Sequence, residues 1–409
     1  MLKKVGVENL HLGMYVHEMC GSWMDHPFWR TRFELTDPED IRRLQESAVT
    51  EIWIDTSRGL DAAIHETRAE ANDESEMSAE ADRALIESAE TETAPRLVPL
   101  AEEVARAARI CARSKQAVVS MFQEVRMGRA VSPELAGALV EEISSSVERN
   151  PGALISLARL KSADDYTYMH SVAVCALMVA LSRQLGLDAA TTRELGLAGL
   201  LHDLGKALVP IEVLNKPGKL TDEEFTIIKL HPVEGHRLLL EGAAVGEIPL
   251  NVVLHHHEKT DGTGYPDRLK DEQISLYAKM GAVCDVYDAV TSNRPYKAGW
   301  DPAESIRRMA EWCKGHFDER IFQAFVKCIG IYPIGSLVKL ESGRLGVVME
   351  QSGHSLLTPR VKIFFSIKSM AQITPEVIDL SHPSARDKIV GREEASKWGL
   401  TNIERLWAP

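Results

Sequence analysis

From about Leu97 to about Gly330 the apolar residues return at helical spacing, and strand-like alternation is scarce. A span of that length and period can only be a set of packed helices. The pattern predicts them around Val104 to Arg126, Pro133 to Val147, Ala163 to Leu185, Ala189 to Leu204, Asp222 to Leu240 and Leu276 to Ser292. Both flanks break the pattern. Ahead of it, Gly13-Met14-Tyr15-Val16-His17, Arg32-Phe33-Glu34-Leu35 and Ile52-Trp53-Ile54-Asp55 read as strands, with a helix opening at Pro38. Behind it, Glu341-Ser342-Gly343-Arg344 joins two strand-like runs, and Val361 to Phe365 adds another. The expected class is therefore mainly α. A small N-terminal α/β module (1–65), an acidic linker (66–96), a helical region (97–332) and a β-rich C-terminal extension (333–409) follow in order.

The chain has 409 residues and a net charge of -13, which argues against general nucleic-acid binding, since that draws its affinity from positive charge. An anionic ligand would need a local positive site. No run of about 18 apolar residues appears, so no membrane span is expected. The start, Met1-Leu2-Lys3-Lys4, has no apolar stretch after it and does not read as a secretory signal, so a cytoplasmic location is expected. Cys20, Cys111, Cys175, Cys284, Cys313 and Cys328 form no C-x-x-C pair and read as reduced, mostly buried thiols.

Several helical segments carry polar groups where a core is expected. His202 and Asp203 lie about 100° apart on a helix that the neighbouring leucines set against a core, with Gly205 placed to stop it. A capped helix end with an Asp203–Lys206 ion pair explains these residues equally well when taken alone. His170 lies among Val172, Val174, Ala176 and Leu177, where a lone histidine would read as a satisfied core residue. His231 precedes Pro232, which predicts a helix break that could turn the imidazole toward a site or simply cap a helix end. Asp285 and Asp288 interrupt the nearly continuous apolar run from Met280 to Val290, and buried acids need cations or donors. Asp285 reads as a metal ligand, and Asp288 as a group that orients Lys297, Arg294 or a ligand histidine. His255-His256-His257 precedes a loop in which Gly262 and Gly264 permit close backbone approach. His236 reads as a surface or supporting residue.

Together, five histidines and two aspartates of ligand type emerge: His170, His202, Asp203, His231, His256, His257 and Asp285. That set exceeds what one metal with an open position can use. Two metals fit better, and a pair about 3.5 to 4 Å apart serves phosphodiester hydrolysis. Mixed imidazole and carboxylate donors suit iron or manganese, with zinc, nickel and magnesium also compatible.

From about Asp164 to Tyr332 the chain closely resembles the HD-GYP family, bacterial phosphodiesterases for cyclic di-GMP within the HD phosphohydrolase superfamily. The resemblance rests on His202-Asp203-Leu204-Gly205-Lys206, Leu214 to Leu220, His231-Pro232 with Gly235, His256-His257-Glu258, Gly264-Tyr265-Pro266, Asp285 to Ala289, and Asn293-Arg294-Pro295-Tyr296-Lys297. It implies an all-helical HD-type metal-dependent phosphohydrolase domain with its core at 160–332. His170, His202, Asp203 and Asp285 would bind one metal, and Asp203 would bridge to a second held by His231, His256 and His257. Lys216, Gly264, Tyr265, Arg294 and Lys297 would hold the ligand's phosphates or guanines, leaving His255 in a supporting place. Lys206 would sit beside the bridging oxygens as a carboxylate partner or a proton donor. Some family members hold a third metal with a glutamate one turn before the first histidine. Here that residue is Tyr166, so two metals and the product pGpG are expected ahead of complete hydrolysis to GMP.

The implied reaction is attack on the cyclic di-GMP phosphodiester by a hydroxide between the metals. Two rivals stand beside it: an adaptor that binds cyclic di-GMP or a GGDEF-type partner with little turnover, and a general HD nucleotidase. A dimer is compatible with all three.

Overall fold

The computed structural model describes residues 2–19, 33–45, 49, 51–60, 98–161, 166–216, 218–242, 245–293, 299–352 and 355–408. The expected acidic linker, 66–96, lies outside them. Chain contacts separate two compact units, one drawn from 1–76 with 210–226 and the other from 77–209 with 227–409.

The first unit contains β1 (Leu2–Gly6), β2 (Tyr15–Met19), β3 (Phe33–Glu34), α1 (Pro38–Gln45) and β4 (Glu51–Asp55). Its sheet runs β1-β4-β2-β3, with every pair antiparallel. The period-two alternation of β4 buries Ile52 and Ile54 against Val5, Met14, Val16, Phe33 and Leu44. The segment 210–226, which the sequence reading places in the helical region, groups with this unit. Lys219 bonds Asp40 at 2.8 Å. It carries the short helix α7 (Ile211–Leu214).

The second unit begins with α2 (Leu100–Arg126), α3 (Pro133–Arg149), α4 (Pro151–Arg159), α5 (Tyr166–Gln184) and α6 (Ala189–Leu201). The short helix α8 (Asp222–Ile228) straddles the division, with its residues up to Thr226 in the first unit, and the second unit continues with α9 (His231–Gly242), α10 (Glu247–His255), α11 (Leu276–Thr291), α12 (Pro302–Trp312) and α13 (Glu319–Ile329). Side chains cap the helix starts: Ser132 accepts from the Leu135 N–H, Asp188 from Ala190 and Thr191, and Ser275 from Ala278. From Ala278 to Thr291, α11 is buried almost without interruption, and α5 and α6 are apolar on most of their faces, so these three run through the middle of the unit. Their few polar residues are consequently held in the core.

The second unit closes with β5 (Leu337–Leu340), β6 (Arg344–Glu350), β7 (Arg360–Ser366), β8 (Ala371–Asp379) and β9 (Ile389–Arg392), an antiparallel sheet in the order β8-β7-β6-β5-β9. Leu337, Leu345, Val347, Phe364 and Phe365 join the helical core, and Val338, Leu340, Val348, Val361 and Ile363 form a smaller cluster. Cys111, Cys175 and Cys284 are buried free thiols, while Cys20 lies outside the described residues. Among the described residues, no helix is long and apolar enough to cross a membrane.

Two of the expected helices differ in the structure, which also holds α4, α10, α12 and α13 outside the expected ranges. The one expected to end at Leu204 stops at Leu201, and Gly205 lies inside a 3₁₀ turn, Leu204–Leu208, rather than terminating the helix. The one expected from Asp222 to Leu240 divides into α8 and α9 at Lys229 and Leu230, and Pro232, in the first turn of α9, has no N–H with which to continue the hydrogen bonding of α8.

Candidate metal centre

Five helices of the second unit deliver the polar residues. His170 is on α5, His202 and Asp203 follow the end of α6, His231 opens α9, His256 and His257 follow α10, and Asp285 is on α11. All seven are buried. Their donor atoms fall into two groups, each within 4.8 Å: His170, His202 and Asp285 in one, and Asp203, His231, His256 and His257 in the other.

Two glycines permit this convergence. A β-carbon on Gly205 would lie 2.0 Å from the His231 carbonyl oxygen and 2.6 Å from the Gly235 nitrogen, so only glycine lets the start of α9 reach Asp203. A β-carbon on Gly264 would lie 2.4 Å from the Lys259 nitrogen, so glycine also closes the loop after His257.

Asp203 faces both groups. Its Oδ2 lies 3.4 Å from His202 Nε2 and 3.6 Å from His170 Nε2, while its Oδ1 lies 3.2 Å from His231 Nε2. Asp203 Oδ1 is buried without a hydrogen-bond partner. Asp285 Oδ2 and His257 Nδ1, 3.6 Å apart, are likewise without one. Buried polar atoms without partners are costly and call for an absent group.

The histidine rings supply the second indication. His202 Nδ1 faces the Gly199 carbonyl at 2.9 Å, His231 Nδ1 that of Ile228 at 2.8 Å, and His256 Nδ1 that of Val253 at 3.0 Å. A carbonyl only accepts, so each Nδ1 carries the proton and each Nε2 presents a lone pair. Two of those lone pairs meet, with His231 and His256 Nε2 3.3 Å apart, while that of His202 points at His170 Nε2 3.2 Å away. Facing lone pairs repel unless a cation lies among them.

Electrostatics agree. Burial pushes His256 down to about 3, reinforced by His202 and His231, and pushes His257 and His231 down as well. His202 is raised, since Asp203 and Asp285 outweigh its burial. Burial would raise Asp203 and Asp285, but surrounding histidines, with Lys206 for Asp203, hold both well below the ordinary carboxylate value. Anionic carboxylates among mostly neutral imidazoles are a donor set for divalent metal ions, and the residues fit such ions.

Around this centre, Lys206 Nζ donates to Asp203 Oδ2 at 2.6 Å, so the ion pair and the ligand geometry coexist. Tyr265 stacks on His257 with ring centroids 4.7 Å apart, and Lys229 lies 5.3 Å from the Tyr265 ring. Asp288 accepts from His170 Nδ1 at 2.6 Å. His255 bonds Asp267 at 3.0 Å and joins neither donor group, and half-buried His236 also stands outside both. Lys216 is in the segment grouped with the first unit, where it bonds Glu224 at 2.6 Å. Arg294 and Lys297 lie outside the described residues, as does the Tyr166 side chain.

Two contributors escape sequence reading. Glu258 is buried and accepts from the Asp267 and Leu269 N–H groups at 2.7 and 3.0 Å, tying down the loop that carries Tyr265. Lys161 is buried and donates to Asp288 at 2.5 Å. The demand of a core aspartate for a cation was the available signal, but nothing in the sequence says which lysine answers it.

A helical core with two His/Asp groups meeting at one aspartate defines an HD-type hydrolase centre. Residues 143–321 match the HD domain family, and residues 2–136 match a domain of unknown function, DUF3391. The chain is 56% identical over 408 residues to Cyclic di-GMP phosphodiesterase PA4108 of Pseudomonas aeruginosa, covering 100% of this chain and 96% of that protein. It is 40% identical over 149 residues to Cyclic di-GMP phosphodiesterase response regulator RpfG of Xanthomonas campestris, covering 36% of this chain and 39% of that protein. Bd1817, an HDG"Y"P protein from Bdellovibrio bacteriovorus, matches 80% of this chain and 98% of its own at a TM-score of 0.46 and 19% identity. The chain belongs to the HD-GYP family of HD-domain hydrolases.

Proposed function

We propose that this chain is a metal-dependent phosphodiesterase that opens cyclic di-GMP to the linear dinucleotide pGpG. The observation that carries the reading is Asp203, whose two oxygens face different histidine groups. The substrate assignment is supported by 56% identity over the whole chain with a protein named for that activity.

Two divalent ions, iron or manganese by donor chemistry, would be held by His170, His202, Asp203 and Asp285 on one side and by Asp203, His231, His256 and His257 on the other. Bound there, such ions supply Lewis acidity toward phosphoryl oxygens and an activated water. The remaining work falls to the chain. Asp203 joins the two groups, and Lys206 holds its Oδ2 while keeping 20% of its own side chain exposed, which suits delivery of a proton to the leaving ribose oxygen. Tyr265 offers a guanine a flat wall, and Gly264 keeps that wall close. Arg294 and Lys297, assigned by motif resemblance, would supply positive charge for two phosphates in a chain of net charge -13.

Tyr166 is the first residue of α5, four positions before His170. A phenol at that position supports two ions and release of pGpG. Chromatography of a cyclic di-GMP reaction with the manganese-loaded chain tests this: pGpG should accumulate with little GMP. Unchanged cyclic di-GMP at full metal loading would favour the adaptor.

A further inference from the structure

Asp288 belongs to neither donor group, yet it is as buried as the residues that do. It lies one turn beyond Asp285 on α11. Its Oδ2 accepts from His170 Nδ1 at 2.6 Å and from Lys161 Nζ at 2.5 Å, and its Oδ1 from Ser292 Oγ at 3.3 Å. The Lys161 and Asp288 side chains are 0% and 3% exposed. On the far side of the same ring, His170 Nε2 lies 2.9 Å from Asp285 Oδ1 and 3.2 Å from His202 Nε2. A continuous line of contacts thus runs from a buried ammonium through a carboxylate and an imidazole into one donor group.

We propose that Lys161 is a positioning residue for that group, acting through Asp288 to hold the His170 ring in its metal-binding orientation. The inference rests on the reading that His170, His202 and Asp285 hold a metal ion. An anionic Asp288 has no water to face, so it needs a cation as close as Lys161. Because the ammonium and the imidazole share one oxygen, Lys161 also fixes the rotation of the carboxylate. With Lys161 gone, Asp288 can turn about its terminal torsion toward Ser292, and His170 loses the contact that sets its ring plane. Partners behind a metal-bound histidine typically change metal affinity by about 10–100-fold. The effect should be confined to one group, since His231 and His256 are oriented by backbone carbonyls instead.

The test is manganese titration of the metal-stripped full-length chain, followed by electron paramagnetic resonance, with thermal unfolding measured in parallel. The parent chain should bind two ions. K161M should keep one site at parental affinity and weaken the other about 10–100-fold; two sites at parental affinity would overturn the proposal. If K161M does not fold, K161Q, which removes the ammonium and keeps a polar donor, is read the same way. There, too, one weakened site supports the proposal and two parental sites overturn it. A parent chain that binds no manganese would remove the metal reading itself, and a parent that binds two beside an unaffected variant removes only the role of Lys161.

Discussion

Gly205 and His231 are pressed so close that a β-carbon on the glycine would stand 2.0 Å from the histidine carbonyl oxygen. This approach brings the first residue of α9 to the carboxylate of Asp203. G205A should therefore push α9 away, costing about 1–3 kcal/mol or more of stability, and separate His231 from Asp203. Thermal unfolding and metal content check this together. Parental values of both would show that the contact can relax.

Lys206 and Asp203 form a bond of 2.6 Å beside the donor groups. K206M should retain its metal, because no donor is removed, and should lose about 10²–10⁴-fold in kcat if the amine supplies a proton. Steady-state turnover beside elemental analysis separates the two. A normal kcat would leave Lys206 as a charge partner only.

Glu258 uses both oxygens to hold the loop carrying Tyr265. In E258Q one oxygen becomes an amide donor facing an N–H, at a cost of about 1–2 kcal/mol. The variant should show KM for cyclic di-GMP raised roughly ten-fold with unchanged metal content. An unchanged KM would mean that the loop does not position substrate.

His256 and His316 are each pushed down to about 3, in both cases chiefly by burial. In the unfolded chain they titrate near 6.5, so as pH falls below 6.5 the unfolded state takes up protons that the folded state refuses. Stability is full above 6.5 and is lost toward 3, at about 1.4 kcal/mol per pH unit for each histidine. Asp301, raised to about 6 by burial, works in the opposite direction, since its contribution is lost as pH rises through 6, and it reduces the net slope. Urea unfolding of the metal-stripped chain at pH 7.5, 6.5 and 5.5 should show the fall below 6.5. Stability that stays level or rises on acidification would contradict it.

Much of the centre was legible because its residues break local rules. Asp285 in an apolar helix and His231 before a proline are misplaced for packing alone, and the motifs around Asp203 and His256 sharpen them. Partners set by tertiary approach were not legible. Lys161 and Asp288 are 127 positions apart, and many lysines could have answered the aspartate. Gly205 resembled a helix stop because sequence shows that a glycine is required but not which backbone crowds it. In the C-terminal sheet, β8 and β9 escaped notice: β8 is mostly exposed, so its alternation carries little apolar signal. The β5–β6 hairpin, with Gly343 in its turn, was plain.

The most direct measurement is metal content and cyclic di-GMP turnover on the same preparations of the parent chain and D203A. The account predicts two divalent ions per parent chain with pGpG formed, and in D203A the loss of at least one ion together with turnover. A D203A chain that keeps full metal and full activity would contradict it.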